Sequence, residues 1–128
     1  ELYDYLVSMH KDYILIVVAN TADAMDYSLA LKSLDKSYHV KYFVEEISAI
    51  RWAMKNSVQV LVVEEQLNQV SAEKFLEIYS KNVLSTPKVV VIGDKPNANT
   101  LSISKLLNHG VTPRVLAHGV KSVMDEKD

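Results

Sequence analysis

Val60-Leu61-Val62-Val63-Glu64-Glu65 sets an unbroken apolar run against an abrupt pair of carboxylates. Four consecutive apolar, mostly β-branched residues leave no side of the chain for water, so the segment reads as a strand buried on both faces. Strands of that kind belong to parallel α/β sheets, whose ligands gather at the carboxyl ends. A strand that turns acidic at that edge therefore marks the edge as the place to look for chemistry.

The flanking sequence repeats the unit. Tyr13 to Val18 is a second wholly apolar run, and Thr21 or Asp23 can cap a helix from about Ala24 to Leu34. Its inward face is Tyr27, Ala30, Leu31 and Leu34, with Met25 and Leu29 outward. His39 to Val44 reads as a strand, and Glu45 to Asn56 as a helix with acids at its positive end. In that helix Ile47, Ile50 and Met54 are expected inward, and Trp52, about 140° from Ile47 at about 100° per residue, outward. The third strand spans Gln59 to Glu64, and Ser71 opens a helix with Ala72, Phe75, Leu76, Tyr79 and Val83 on one stripe. Val89 to Ile92, ended by Gly93, is the fourth strand. A helix carrying Ile103, Leu106 and Leu107, stopped by Gly110, and a fifth strand from Pro113 to Ala117 are expected next. Val120, Val123 and Met124 begin a last helix. Leu2, Tyr5, Leu6 and Met9 make an amphipathic linker helix of residues 1–11, ahead of a domain spanning 12–128.

Strands alternating with helices give a parallel sheet covered on both faces by right-handed crossovers. The 128 residues suffice for one domain with its own core. A net charge of −2 argues against nucleic acid or an anionic membrane as partner, and no apolar run is long enough to span a bilayer. The chain has no cysteine, which fits a reducing, cytoplasmic setting and removes thiolate chemistry. It begins at Glu1, hence the expectation of a piece of a longer protein.

Order, lengths and punctuation of these elements resemble the response-regulator receiver domain over roughly residues 12–124. The resemblance implies a flavodoxin-like fold of five parallel strands in a two-component signalling protein. In that family an acidic pair after the first strand holds magnesium, an aspartate after the third accepts a phosphoryl group, and a hydroxyl residue and a lysine end the fourth and fifth. By resemblance the pair falls on Val18 and Ala19, the acceptor on Glu64, and the hydroxyl on Ile92 or Gly93. The lysine falls near Ala117, followed by His118, and Leu67-Asn68 stands where Met-Pro trails the acceptor. Gly110 alone matches, as the family's glycine before the fifth strand. The framework is kept and the reactive residues are replaced.

Magnesium needs hard oxygen ligands, and Val18 and Ala19 offer none in their side chains. Phosphoryl transfer depends on positioning and charge neutralisation, and glutamate carries its oxygen one methylene too far. A misplacement of about 1 Å costs roughly a hundredfold. Glu64 is then a solvated strand-end acid beside Glu65, or an imitation of a phosphorylated side chain answered by Lys88 or Lys95. Asn20, Glu65 and Gly93 are its expected neighbours at the strand edge. His10, His39, His109 and His118 lack metal-ligand spacing, and no nucleophile elbow or phosphate-binding loop is present. No catalytic residue, metal or cofactor is expected.

The expectation is a receiver-like, non-phosphorylated domain of a larger regulatory protein, binding a neighbouring domain, another signalling protein or a second copy of itself. Trp52, beside Arg51 and Lys55, is either a contact residue, since Trp and Arg are enriched in binding hot spots, or folded down over the helix edge. By resemblance the face of the fourth helix, fifth strand and fifth helix is another, carrying Leu101, Lys105, Asn108 and Arg114. The competing readings are an atypical receiver still switched by phosphorylation or a small ligand, and an unrelated flavodoxin-like enzyme with a pocket around Asn20, Glu64 and Gly93.

Overall fold

The computed structural model describes residues 11–96 and 101–126. Its strands are β1 (Asp12–Val17), β2 (His39–Phe43), β3 (Ser57–Glu64), β4 (Lys88–Ile92) and β5 (Ile103–Leu107). The helices are α1 (Thr21–Leu34), α2 (Glu46–Ala53), α3 (Ala72–Asn82) and α4 (Pro113–Asp125). All neighbouring strands pair in parallel, in the order β2-β1-β3-β4-β5. This is the flavodoxin-like order, whose topological switch lies between β1 and β3.

Alternation along the buried strands divides the core into two layers. Ile14, Ile16, Val18, Val60, Val62, Val90 and Ile92 pack with Tyr27 and Leu31 of α1 and Leu116, Val120 and Val123 of α4. Leu15, Val17, Leu61, Val63, Val89 and Val91 pack on the other face with Ala49, Ile50 and Ala53 of α2 and Phe75, Leu76 and Tyr79 of α3. Each central strand thus feeds both layers, which is why its sequence shows no polar alternation.

Through α3 and β4 the expected elements are found, with two local corrections. Asn20, rather than Thr21 or Asp23, caps α1, its Oδ1 accepting from Asp23 N at 3.1 Å. In α2, Ile47 (60% exposed) and Met54 (57%) face solvent, while Glu46, Ala49, Ile50 and Ala53 face inward. The helix is therefore rotated from its expected orientation, and Trp52, placed opposite the outward Ile47, folds down over the helix edge. It meets Tyr13 edge-on at a centroid distance of 4.8 Å and Phe43 at 6.1 Å.

After β4 the expectations fail together. Ile103, Leu106 and Leu107 lie on a strand, β5, and not on a helix. Pro113 to Ala117 is the first part of α4 and not a strand. The i, i+3, i+4 spacing of three apolar residues is too short a signal to separate a helix from an edge strand. The Thr112-Pro113 pair is a helix start: the Thr112 hydroxyl accepts from Val115 N at 3.2 Å, and proline occupies the first turn, where its missing N–H costs nothing. Gly110, with φ +75°, turns the chain between β5 and α4, so it follows the fifth strand. Leu101 is 7% exposed in the α2/α3 layer, hence not a surface contact, whereas Leu106 is 45% exposed. The amphipathic helix expected over residues 1–11 lies, Lys11 apart, outside the described residues.

Candidate functional site

The carboxyl ends of the strands carry the polar groups that the sequence singles out. Glu64 is the last residue of β3, in register with Ile92 of β4. Its Oε1 accepts from Ala19 N at 2.7 Å, closing the switch point between β1 and β3 with a bond inside the fold. Around it, Tyr27 has its phenol pKa raised, by burial and then by the negative charges of Asp23, Glu64 and Asp26. Among the described residues no cation pairs with Glu64. Lys88 lies at the start of β4, where its ammonium donates to Val123 O at 3.1 Å and Glu126 O at 2.9 Å. It stabilises the negative end of α4 and does not answer Glu64.

Asn20 stands at the same edge as the α1 cap. Asn68, on the loop after β3, donates through Nδ2 to Ala19 O at 3.1 Å and Val44 O at 3.0 Å, tying that loop to the ends of β1 and β2. Glu46 supplies a further tie. It is 6% exposed, and its Oε2 accepts from Gln69 N at 2.6 Å and Val70 N at 2.9 Å. A buried carboxylate is tolerable only with such donors. As a helix-start acid Glu46 looks ordinary in sequence; that it anchors a loop more than twenty residues away has no local signal.

On the other side of β3 the arrangement is more open. Glu65 is held by its backbone, donating to Ile92 O at 2.8 Å and accepting from Ala72 N at 2.8 Å. Its half-exposed Oε2 lies 2.7 Å from Nε2 of the exposed His109, on the turn after β5. Gly93 is the surface beneath that pair. At φ +121° it occupies a region that L-residues rarely adopt, and a Cβ there would lie 2.6 Å from Glu65 Cβ and 2.8 Å from His109 Cε1. The fifth strand ends at Leu107, so the lysine position moves from Ala117-His118 to Asn108-His109. Ala117 is buried in α4 and His118 is exposed on it.

The magnesium implied by the resemblance does not fit this edge. Val18 is fully buried, Ala19 offers only backbone, and one Glu64 oxygen is already taken by Ala19 N. Of the contact candidates, Trp52 and Lys105 are half-buried, Arg114 is exposed, and Leu101 is interior. Val115, exposed on α4, and Leu106 line a shallow groove of about 390 Å³ together with Asn108, His109 and Gly110.

No protein-family model matches the sequence, and no curated protein sequence matches it. Solved structures do. A CheY-like response regulator receiver domain protein from Methanospirillum hungatei aligns over 90% of this chain and 94% of its own, with TM-score 0.73 and 17% identity. The receiver domain of the hybrid histidine kinase CckA aligns over 90% and 100%, with TM-score 0.67 and 19% identity. The signal receiver domain of an HD domain-containing protein from Pseudomonas fluorescens aligns over 91% and 88%, with TM-score 0.72 and 13% identity. No helix among the described residues is long and apolar enough to cross a membrane. The chain therefore has the receiver-domain fold, with the strand-edge hydrogen bonds described above.

Proposed function

We propose that this chain is a degenerate receiver domain that takes up no phosphoryl group and signals by binding another domain, another signalling protein or a second copy of itself. One observation carries the reading. The glutamate at the acceptor position is engaged by the Ala19 backbone N–H, with neither a metal-binding acid pair nor, among the described residues, a cation beside it. A phosphoryl group arriving there would meet Tyr27 and a field of carboxylates, with nothing to neutralise the charge developing in transfer. The domain is then no enzyme, even on itself.

Its output would be contact. The structural neighbours include receiver domains of a hybrid kinase and of an HD-domain protein, so a receiver fold within a larger regulatory chain has parallels. The exposed apolar residues nearest the β5–α4 junction, Leu106 and Val115, replace Leu101 as the residues expected to make that contact, beside Lys105 and Arg114. Acetyl phosphate with magnesium, followed by intact-mass measurement, tests the chemistry: no added phosphoryl mass is expected. A single addition that disappears in Glu64→Gln would overturn the proposal and establish a switched receiver.

A further inference from the structure

Glu65, Asp94 and His109 come from the ends of β3, β4 and β5, and each offers a metal-ligating atom within 4.8 Å of the others. The topology assembles them, since they are 29 and 15 residues apart in sequence but follow neighbouring strands. We infer that this cluster is a binding site for a first-row divalent transition ion, with zinc as the representative.

The donor set selects that class. One imidazole nitrogen with two carboxylates suits zinc and its neighbours, whereas magnesium and calcium favour oxygen alone. With metal–ligand bonds of about 2 Å, donors sit within about 4 Å of one another. Glu65 and His109 already meet that, at 2.7 Å, and the exposed Asp94 and His109 can rotate to close the rest. Gly93 is the second observation. A side chain at this position would occupy the space where Glu65 and His109 converge, so the backbone is bare where the two ligands meet. The Glu65 main chain is fixed by bonds to Ile92 and Ala72, which holds this ligand's Cα at the end of β3.

The site is open to solvent. Glu65 and Asp94 border a hollow of about 460 Å³ that also carries Gln66, Ser71 and Glu73, so water or one of these oxygens can complete the coordination shell. Lys95 lies on the same rim and opposes the ion electrostatically. Binding would replace the Glu65–His109 hydrogen bond with coordination and pin the loop after β4 to the ends of β3 and β5. It lies on the opposite side of β3 from the magnesium position of the resemblance, and it stands whether or not the domain works through contacts.

Titration of the purified chain with zinc ion alone, in a chelator-free buffer near neutral pH, is the test. One ion per chain is expected, undisturbed by excess magnesium. Losing a direct ligand should cost at least the ~10–100-fold in affinity that loss of an outer-shell partner costs. His109→Ala and Asp94→Asn should both show it, and His39→Ala and His118→Ala should not. Cobalt(II) should give ligand-field absorption that is lost in His109→Ala. His109 and Asp94 are exposed, so both variants should keep the wild-type circular dichroism and melting curve. Absence of a stoichiometric site overturns the inference, as does binding that survives in folded His109→Ala and Asp94→Asn.

Discussion

The two halves of the sheet edge differ in how they use their polar groups. Between β2, β1 and β3, Glu64, Asn68 and Glu46 spend their hydrogen-bonding capacity inside the fold, on Ala19, Val44, Gln69 and Val70. Past β3, towards β4 and β5, Glu65 pairs with His109 and the exposed Asp94 lies close to both. The first half is closed where receivers carry their chemistry; the second is open. The difference lies in the partners: Glu64, Asn68 and Glu46 meet backbone groups, whereas Glu65 meets the side chain of His109. A buried carboxylate such as Glu46 persists only because the fold supplies its donors.

The sharpest break of this contrast comes from paired substitutions near β5. Leu101→Asp would place an unpaired carboxylate in the α2/α3 layer and should cost about 3–5 kcal/mol in urea unfolding. Leu106→Asp, on an exposed side chain, should stay within about 0.5 kcal/mol while weakening association. Equal stability losses would show that the β5 edge is covered in solution, and unchanged association would remove Leu106 from the contact surface.

Glu46→Ala probes the closed half. Two loop N–H groups would lose their acceptor, for about 1–3 kcal/mol and faster amide exchange at Gln69 and Val70. Exchange unchanged at those two amides would deny Glu46 its anchoring role.

Smaller still is the effect at Tyr79, whose hydroxyl is buried without a hydrogen-bond partner among the described residues. Burial pushes its phenol up to about 12, from about 10 when unfolded. The unfolded chain releases this proton first, so folding stability is untouched by the titration below about pH 10 and falls as pH rises towards 12. Tyr79→Phe should raise stability by about 1 kcal/mol and flatten that alkaline decline. A loss on substitution would mean that the hydroxyl has a partner in solution.

Legibility in the sequence follows the same division. Strands buried on both faces announce themselves by continuous apolar runs, and Ser71 to Val83 by a clear stripe, so everything through β4 is readable. The α2 stripe misleads because that helix turns the small Ala49 and Ala53 inward beside Ile50, leaving Ile47 and Met54 in water. Beyond β4, β5 is a five-residue edge strand with a register shift between Val89 and Val90, so its alternation is broken. Thr112-Pro113, a capping hydroxyl followed by proline, is the local signal of a helix start there. At the site, Glu64, Glu65 and Gly93 are visible as strand ends. Glu46, Asn68 and His109 are not, because their partners are set by topology and not by spacing.

If the domain signals by contact alone, the closed half does not respond to a phosphoryl group. Amide NMR of the ¹⁵N-labelled chain, titrated with magnesium and beryllofluoride, tests it at Ala19, whose N–H holds Glu64. The Ala19, Glu64 and Asn68 signals are expected to stay in place; saturable shifts there, abolished in Glu64→Gln, would show that the acceptor position still responds.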